Sequence, residues 1–393
     1  MSGTSFRAAR SLMLLAPLLL FLTGFFVWPL FSMMSQAVSD PAVLRLLPRS
    51  AEVLGSWDRK SPPTIEMQTA LMEDLKAVDD DQALGDMVRR LNSARSGFRT
   101  LMGKTTGALG DTANPPADLV SIDKRWNKPE FWLAIADALS PYTDRNLLAA
   151  VDLGRNAAGD IVHLPPNQSV NGIILLRTFW IAGLVTFACA CIGFPYAIIA
   201  ASLSGWKRDL MLGAVLLPLW TSLLVRTAAW FILLQEQGLI NDLLRGIGLI
   251  DAPLALIFNR TGVIIAMTHV LLPFMVLPIY SALDRMDGSL IEAAEDLGCS
   301  RLTAFWLVTV PLSKNGIIAG SFLVFIPALG EFVIPSLLGG SGTLMIGKVL
   351  WEEFSSNRDW PLASAVAVVL LLILVIPIVL FQRNQQKQQE AEQ

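Results

Sequence analysis

The sequence predicts an all-α, polytopic membrane protein, and three observations predict it. Of 393 residues, 53% are hydrophobic and only 16% are charged, where a soluble domain of this size carries about 25% charged residues. Apolar runs of about 20 residues or longer, enough to cross about 30 Å of hydrocarbon, recur along the chain and predict six spans. Pro195, Pro218, Pro273, Pro278, Pro327, Pro335 and Pro377 interrupt these runs. Such breaks survive in a bilayer only where the freed backbone groups face protein or a wet cavity. Their number predicts a pathway and not a simple anchor.

The first run, Leu12–Met34, follows Arg7 and Arg10. A signal peptide would have a shorter apolar core of about 7–15 residues, although Ser35-Gln36-Ala37 has the small residues of a cleavage site. Its length favours a retained span with the amino terminus inside, so residues 1–34 form one unit. Residues 35–171 contain no run long enough to cross. Pro62-Pro63 open a helical pattern through Met67, Leu71, Leu75 and Val78, and a second runs from Leu84 through Leu91 to Leu101. After the break at Gly107–Pro116, Pro129 starts a third with Phe131, Trp132, Ile135 and Leu139 on one side, and Tyr142–Leu153 suggests a fourth. This predicts a mostly helical extracytoplasmic insertion, either a linker between spans or a surface for an external partner.

Five further apolar runs follow, at Ile173–Leu203, Leu210–Leu234, Gly262–Leu283, Gly316–Leu338 and Leu362–Phe381. They define a five-helix core over 172–382. Alternating from an inside start, the short inner segments carry Lys207, Arg208, Arg285, Arg301, Lys314, Arg383 and Lys387. The outer ones carry Arg245, Arg260, Lys348 and Arg358. The excess of inner cations agrees with that orientation and puts both termini in the cytoplasm. Gly238–Arg260 is amphipathic and predicted to lie at the outer interface, and the polar tail 383–393 is predicted to be disordered.

Several chemistries are excluded. A net charge of −3 gives no nucleic-acid footprint. Cys189, Cys191 and Cys299 form no disulfide framework. His163 and His269, the only histidines, leave a metal site or a catalytic triad without enough ligands. Gly342–Lys348 spells most of a phosphate-binding loop, but Val349 stands where Ser or Thr must hold magnesium, and no strand precedes it. No catalytic residue is assigned, and no cofactor is expected on this chain.

Charges inside spans carry more information, because each costs about 2.5–3.5 kcal/mol at mid-membrane unless a cavity or partner receives it. Arg226 lies roughly 25 Å from the inner end of its span, and Glu331 lies at a similar height on another. They can form an ion pair or contact a substrate, or Arg226 can snorkel to the outer surface. Trp220, Trp230 and Phe332 offer aromatic walls for a cation, and His269 is either a core histidine or part of the pathway lining.

The one strongly polar, capped stretch between apolar runs is Asp287–Leu312, DGSLIEAAEDLGCSRLTAFWLVTVPL. Ser289 and Glu292 have the spacing of a capping box. Leu290, Ile291, Ala294 and Leu297 share one face, and Gly298 sits where a left-handed cap is wanted. Ser300 starts a second short helix with Leu302, Phe305 and Trp306 apolar, and Pro311 closes the segment. Glu292-Ala293-Ala294, Gly298 and Val310-Pro311-Leu312 resemble the "EAA" loop of bacterial ABC-importer permeases. The flanks Leu217–Leu234, Leu271–Leu283 and Gly316–Gly340 resemble the spermidine/putrescine-type subgroup, with close likeness from about Leu175 to Leu380.

The resemblance implies a type I importer permease fold in a bacterial inner membrane. It implies that Glu292, Ala293, Ala294, Gly298 and Pro311 belong to a coupling helix that docks on an ATP-hydrolysing subunit. The implied partners are a second permease, an ATPase dimer that uses ATP and magnesium, and a periplasmic substrate-binding protein. The implied mechanism is alternating access, and the implied cargo is a polyamine. The resemblance also implies a carboxylate at the position of Glu331; Glu in place of Asp leaves open an opine, an amino-acid derivative or another organic cation. A membrane sensor with an external ligand-binding domain is the rival from another class, and it lacks an inner signalling domain.

Overall fold

The computed structural model describes residues 15–110, 116, 118–155, 160–165, 169–357 and 359–391. Arg7, Arg10 and Arg358, which entered the charge reading, lie outside these. In chain order the helices begin with α1 (Leu15–Gln36), α2 (Pro41–Leu44), α3 (Pro48–Gly55), α4 (Ile65–Lys76), α5 (Asp81–Ala94), α6 (Phe98–Gly110), α7 (Leu119–Ile122), α8 (Pro129–Ala138) and α9 (Arg145–Ala150). A two-stranded sheet pairs β1 (Leu153–Arg155) with β2 (Ile161–His163). Then come α10 (Asn171–Ser202), α11 (Trp206–Leu216), α12 (Leu223–Leu233), α13 (Leu239–Gly246) and α14 (Arg260–Asp284). The last are α15 (Ser289–Asp296), α16 (Arg301–Gly330), α17 (Val333–Leu338), α18 (Ile346–Glu352) and α19 (Trp360–Ala391). Contacts divide the chain into two units, Met1–Val162 with Asp359–Gln393, and His163–Arg358.

In the first unit the helical segment builds a core of its own. Phe98, Leu101, Met102, Trp126, Trp132 and Ile135 are fully buried, and the two indoles lie 5.4 Å apart between centroids. Each indole N–H is satisfied: Trp126 donates to Thr105 Oγ1 at 3.0 Å and Trp132 to the Trp126 carbonyl at 2.8 Å. The long second pattern splits into α5 and α6 because Gly97 turns at φ +105°, a backbone conformation that favours glycine. Pro129 stands in the first turn of α8, where its missing N–H costs nothing. Asp74, buried on α4, accepts from Arg49 N (3.2 Å), Ser50 N (2.7 Å) and Ser50 Oγ (2.7 Å), and so caps the neighbouring α3. The ends of the segment meet where Asp40 N donates to the Pro141 carbonyl and Thr143 N to that of Val38. α19 packs against α1 and α9.

The second unit is organised around α10, α14 and α16, which pack against one another. Only glycine fits at their closest approaches. A Cβ at Gly316 would stand 2.7 Å from the Pro278 carbonyl, and one at Gly320 2.9 Å from Met275 Sδ. Close backbone approach at small residues is the usual cohesion of membrane helices. Cys189 adds a hydrogen bond to the Thr268 carbonyl at 3.4 Å.

Among the described residues the six expected spans are met in part. Four helices are long and apolar enough to cross a membrane, or five if a bent pair is one span: α1, α10, α14, α16 and the pair 206–220 plus 223–233, bent by 101°. The expected straight span Leu210–Leu234 is therefore two arms, because Pro218 tightens the chain into a 3₁₀ turn and Ser222 caps α12 afresh. The span expected from Gly316 starts earlier, at Arg301, and stops at Gly330, short of Leu338. The described apolar part of α19 is Trp360–Ile376. Beyond it the tail expected to be disordered continues as helix to Ala391, consistent with its Gln, Lys and Glu content.

Replacing Asp74 with Ala strands two buried donors and is expected to destabilise the helical segment by about 2–3 kcal/mol, read as an earlier thermal transition of the purified protein. Asp123 accepts from Arg125 N, Nε and Nη2 and from Lys104 Nζ, and the Arg125 hydrogen bonds hold its carboxyl well below the usual carboxylate range. A carboxyl depressed in this way contributes stability above its unfolded pKa, near 4, and loses it as pH falls through the folded value. Near-ultraviolet circular dichroism is expected to hold from pH 7 to about 4 and weaken below, with Asp123→Asn flattening that acid limb.

Candidate functional site

The polar stretch between α14 and α16 forms a helix-turn-helix. Its first start signal works differently from the expected capping box. Gly288 is the N-cap without a side-chain bond, and Asp287 Oδ1 accepts from Ser289 N at 3.0 Å. That hydrogen bond holds the Asp287 carboxyl below its ordinary range. Ser289 is therefore the first residue inside α15, and Glu292 has no N-cap hydroxyl to reciprocate. The exit follows expectation: Gly298 turns at φ +88°, Gly298 N donates to the Glu295 backbone carbonyl at 2.9 Å, and Cys299 N donates to the Ala294 carbonyl at 3.0 Å. This pair of bonds is the Schellman motif. Ser300 then accepts from Thr303 N at 3.2 Å and starts the next helix.

That next helix does not stop. Pro311 was expected to close the segment, but α16 runs through it, with a π-turn at Phe305–Thr309 just before the proline. The wider turn, in which Val310 N reaches back to the Phe305 carbonyl, accommodates a residue that lacks a donor and crowds the preceding turn. Ala304 and Thr309 are buried, and Phe305 sits 5.8 Å from Phe194 of α10. The opposite side is open: Leu297 is 86% exposed, and Leu290, Leu302 and Trp306 are exposed with it. Ala293 is exposed and Ala294 half-buried. The Arg301–Glu295 pair at 3.5 Å is largely solvent-facing and contributes little.

The candidate pathway residues are only partly brought together. Trp230 Nε1 on α12 donates to His269 Nδ1 on α14 at 3.1 Å, with the rings 5.3 Å apart. Arg226 lies one turn before Trp230. Glu331 forms no ion pair with it; its Oε1 accepts from Val333 N (2.9 Å) and Ile334 N (3.2 Å) and starts α17. Phe332 stacks on Trp351 at 5.3 Å and 12°, while Trp220 is 91% exposed.

Three functional-site neighbours escaped the sequence reading. Trp351 is the partner of Phe332, with no spacing signal to announce it. Thr178 Oγ1 accepts from Ile346 N at 2.9 Å in a buried contact, so α10 holds the start of α18. Asn241, fully buried, bonds Gln235 O, Leu254 O and Leu254 N and fixes the loop around α13. The false phosphate-loop spelling also gains a reason. A Cβ at Gly347 would stand 2.7 Å from the Gly330 carbonyl, so glycine there serves helix packing.

Residues 193–388 match the family described as binding-protein-dependent transport system inner membrane component. Over 210 residues the chain is 38% identical to the spermidine/putrescine transport system permease protein PotB of Escherichia coli, covering 53% of this chain and 76% of that one. The chain belongs to this family of ABC importer permeases. It is also 38% identical over 195 residues to the PotB of Haemophilus influenzae, covering 50% of this chain and 68% of the relative. A solved bacterial alginate ABC transporter, in complex with an alginate pentasaccharide-bound periplasmic protein, aligns over 56% of this chain and 80% of that one, with 19% identity and TM-score 0.44. The family match begins inside α10 and takes in both the helix-turn-helix and the Trp230–His269 contact.

Gly298→Val is expected to strain the left-handed turn by about 1–2 kcal/mol and to speed amide exchange at Gly298 and Cys299, measured by hydrogen exchange in the purified protein.

Proposed function

We propose that this chain is the pathway-forming permease subunit of a binding-protein-dependent importer of polyamine-like cations. The observation that carries the reading is the 38% identity with PotB over 210 residues, beside a family match over 193–388 that includes the whole helix-turn-helix. The chain works beside a second permease in a bacterial inner membrane. A separate ATPase dimer uses ATP and magnesium, and a periplasmic protein delivers the cargo to the helical segment 35–171 on the outer side. Both termini lie in the cytoplasm.

The coupling loop supports that division of labour. Leu290, Leu297, Leu302 and Trp306 present apolar surface outward, and contiguous exposed apolar surface marks a contact face. The Schellman turn at Gly298 fixes the angle between the two arms, and Ser300 leads directly into α16. Movement of the ATPase against Glu292, Ala293 and Ala294 is therefore carried into a spanning helix. Cargo and delivery protein bias the same equilibrium only through their differential affinity for its two states.

On the cargo side, Glu331 supplies negative charge at a helix break next to the stacked Phe332–Trp351 pair, a setting suited to an organic ammonium. Oε1 is engaged with backbone donors, which leaves Oε2 to face a cation. Glu331→Gln is expected to lower uptake of radiolabelled spermidine by about tenfold while the ATPase still copurifies. Unchanged uptake kinetics would remove Glu331 from the pathway, and spermidine uptake that does not require this chain would refute the cargo.

A further inference from the structure

Arg226 is a charge inside a bent span, and it is unpaired among the described residues. Its Nε and Nη1 are buried and meet no acceptor; Nη2 is not among the sealed atoms, so the guanidinium is reachable there. Charged donors without acceptors are the most costly polar groups to bury. The neighbouring polar groups do not help. Trp230 donates to His269 Nδ1, which leaves Nε2–H as the free position of the neutral imidazole and makes it a donor as well. Glu331, the carboxylate that sequence depth matched to Arg226, is committed to the start of α17. The site is therefore rich in donors and, among the described residues, lacks an oxyanion.

On the same helix Leu224, Val225 and Ile232 are 63%, 61% and 63% exposed, so an uncovered apolar face accompanies the uncompensated cation. We propose that in the assembled importer a carboxylate from a membrane span of the second permease subunit binds Arg226 through Nη2, and that the Leu224–Val225–Ile232 face packs around this ion pair. The inference rests on the permease reading above. That reading also bears on the source of the anion, since a polyamine brings no carboxylate and would be repelled by a free guanidinium. Apolar packing around one buried, paired charge supplies both adhesion and register, and excludes partners that lack the matching acid.

The test uses the full complex, co-expressed and purified through a tag on this chain. Arg226→Glu is expected to reduce recovery of the second permease by more than about tenfold, while Arg226→Lys retains it. Each Asp and Glu in the partner's spans is then changed to Arg in turn. One such change is expected to impair recovery with the wild-type chain and restore it with Arg226→Glu, a rescue that a misfolded variant cannot show. Normal recovery with Arg226→Glu, or no rescuing position among the partner's acids, overturns the proposal. If recovery is normal and Arg226→Glu instead abolishes competition by γ-aminobutyrate for uptake, a cargo carboxylate is the counter-ion, and the contact in trans and the purely cationic cargo both fall. A working charge swap in a complex that fails to import spermidine keeps the contact and removes only the cargo assignment.

Discussion

The second unit depends on close backbone contact between α14 and its two neighbours. Gly193 faces Met275 and Val276, Gly320 faces Met275, and Gly316 faces Pro278 and Ala282. In a bilayer there is no hydrophobic drive to bring apolar helices together, so cohesion comes from van der Waals contact at short range. A single methyl at Gly316 would meet a backbone oxygen that cannot rotate away. The three helices are therefore held at one separation, and every feature of the candidate pathway is set by what attaches to their ends and flanks.

Those attachments are all repairs to broken backbone. Where the span between α11 and α12 bends by 101°, Ser222 satisfies Val225 N. Where α16 stops, Glu331 satisfies two donors of α17, and where α18 starts, Thr178 reaches across from α10. Each polar side chain replaces water that a membrane interior does not provide. The same repairs leave Arg226 as the exception among the described pathway residues, since its guanidinium serves no backbone group.

The sequence made the broad class and the helix-turn-helix legible because both rest on local signals. Apolar run length announces α10 and α14, and Gly298 announces its own turn through a conformation that other residues avoid. Ser289 misled for a physical reason: Asp287, two residues earlier, is a stronger acceptor and took the first free N–H. Pro311 misled because a π-turn can absorb a proline, which no local spacing reveals. Depth along a span matched Arg226 to Glu331, but depth does not fix rotation about the helix axis. The contacts that define the site, Trp230 with His269 and Phe332 with Trp351, join residues 39 and 19 positions apart in the chain and depend on tertiary placement alone. Nor does any local pattern tell that α19 packs on α1 and α9.

The continuity of α16 gives the proposed coupling its physical form. At 1.5 Å per residue its 30 residues extend about 45 Å, from the Ser300 cap at the loop to the Gly330 carbonyl that Gly347 approaches. A helix of that length transmits displacement from one end to the other as long as its hydrogen-bond ladder stays closed. The place where the ladder widens is the π-turn at Phe305–Thr309, beside Pro311 and against Phe194 of α10. α16 is therefore open to bending at two places, the loop end, where Pro195 also weakens α10 next to its point of contact, and Pro327 close to Gly330. Between these two places α16 is clamped to α14 by Gly316 and Gly320, so a push that passes the π-turn moves the two helices together. Glu331 and the Phe332–Trp351 stack lie just past the far end of α16, where the proposed coupling reaches the candidate pathway.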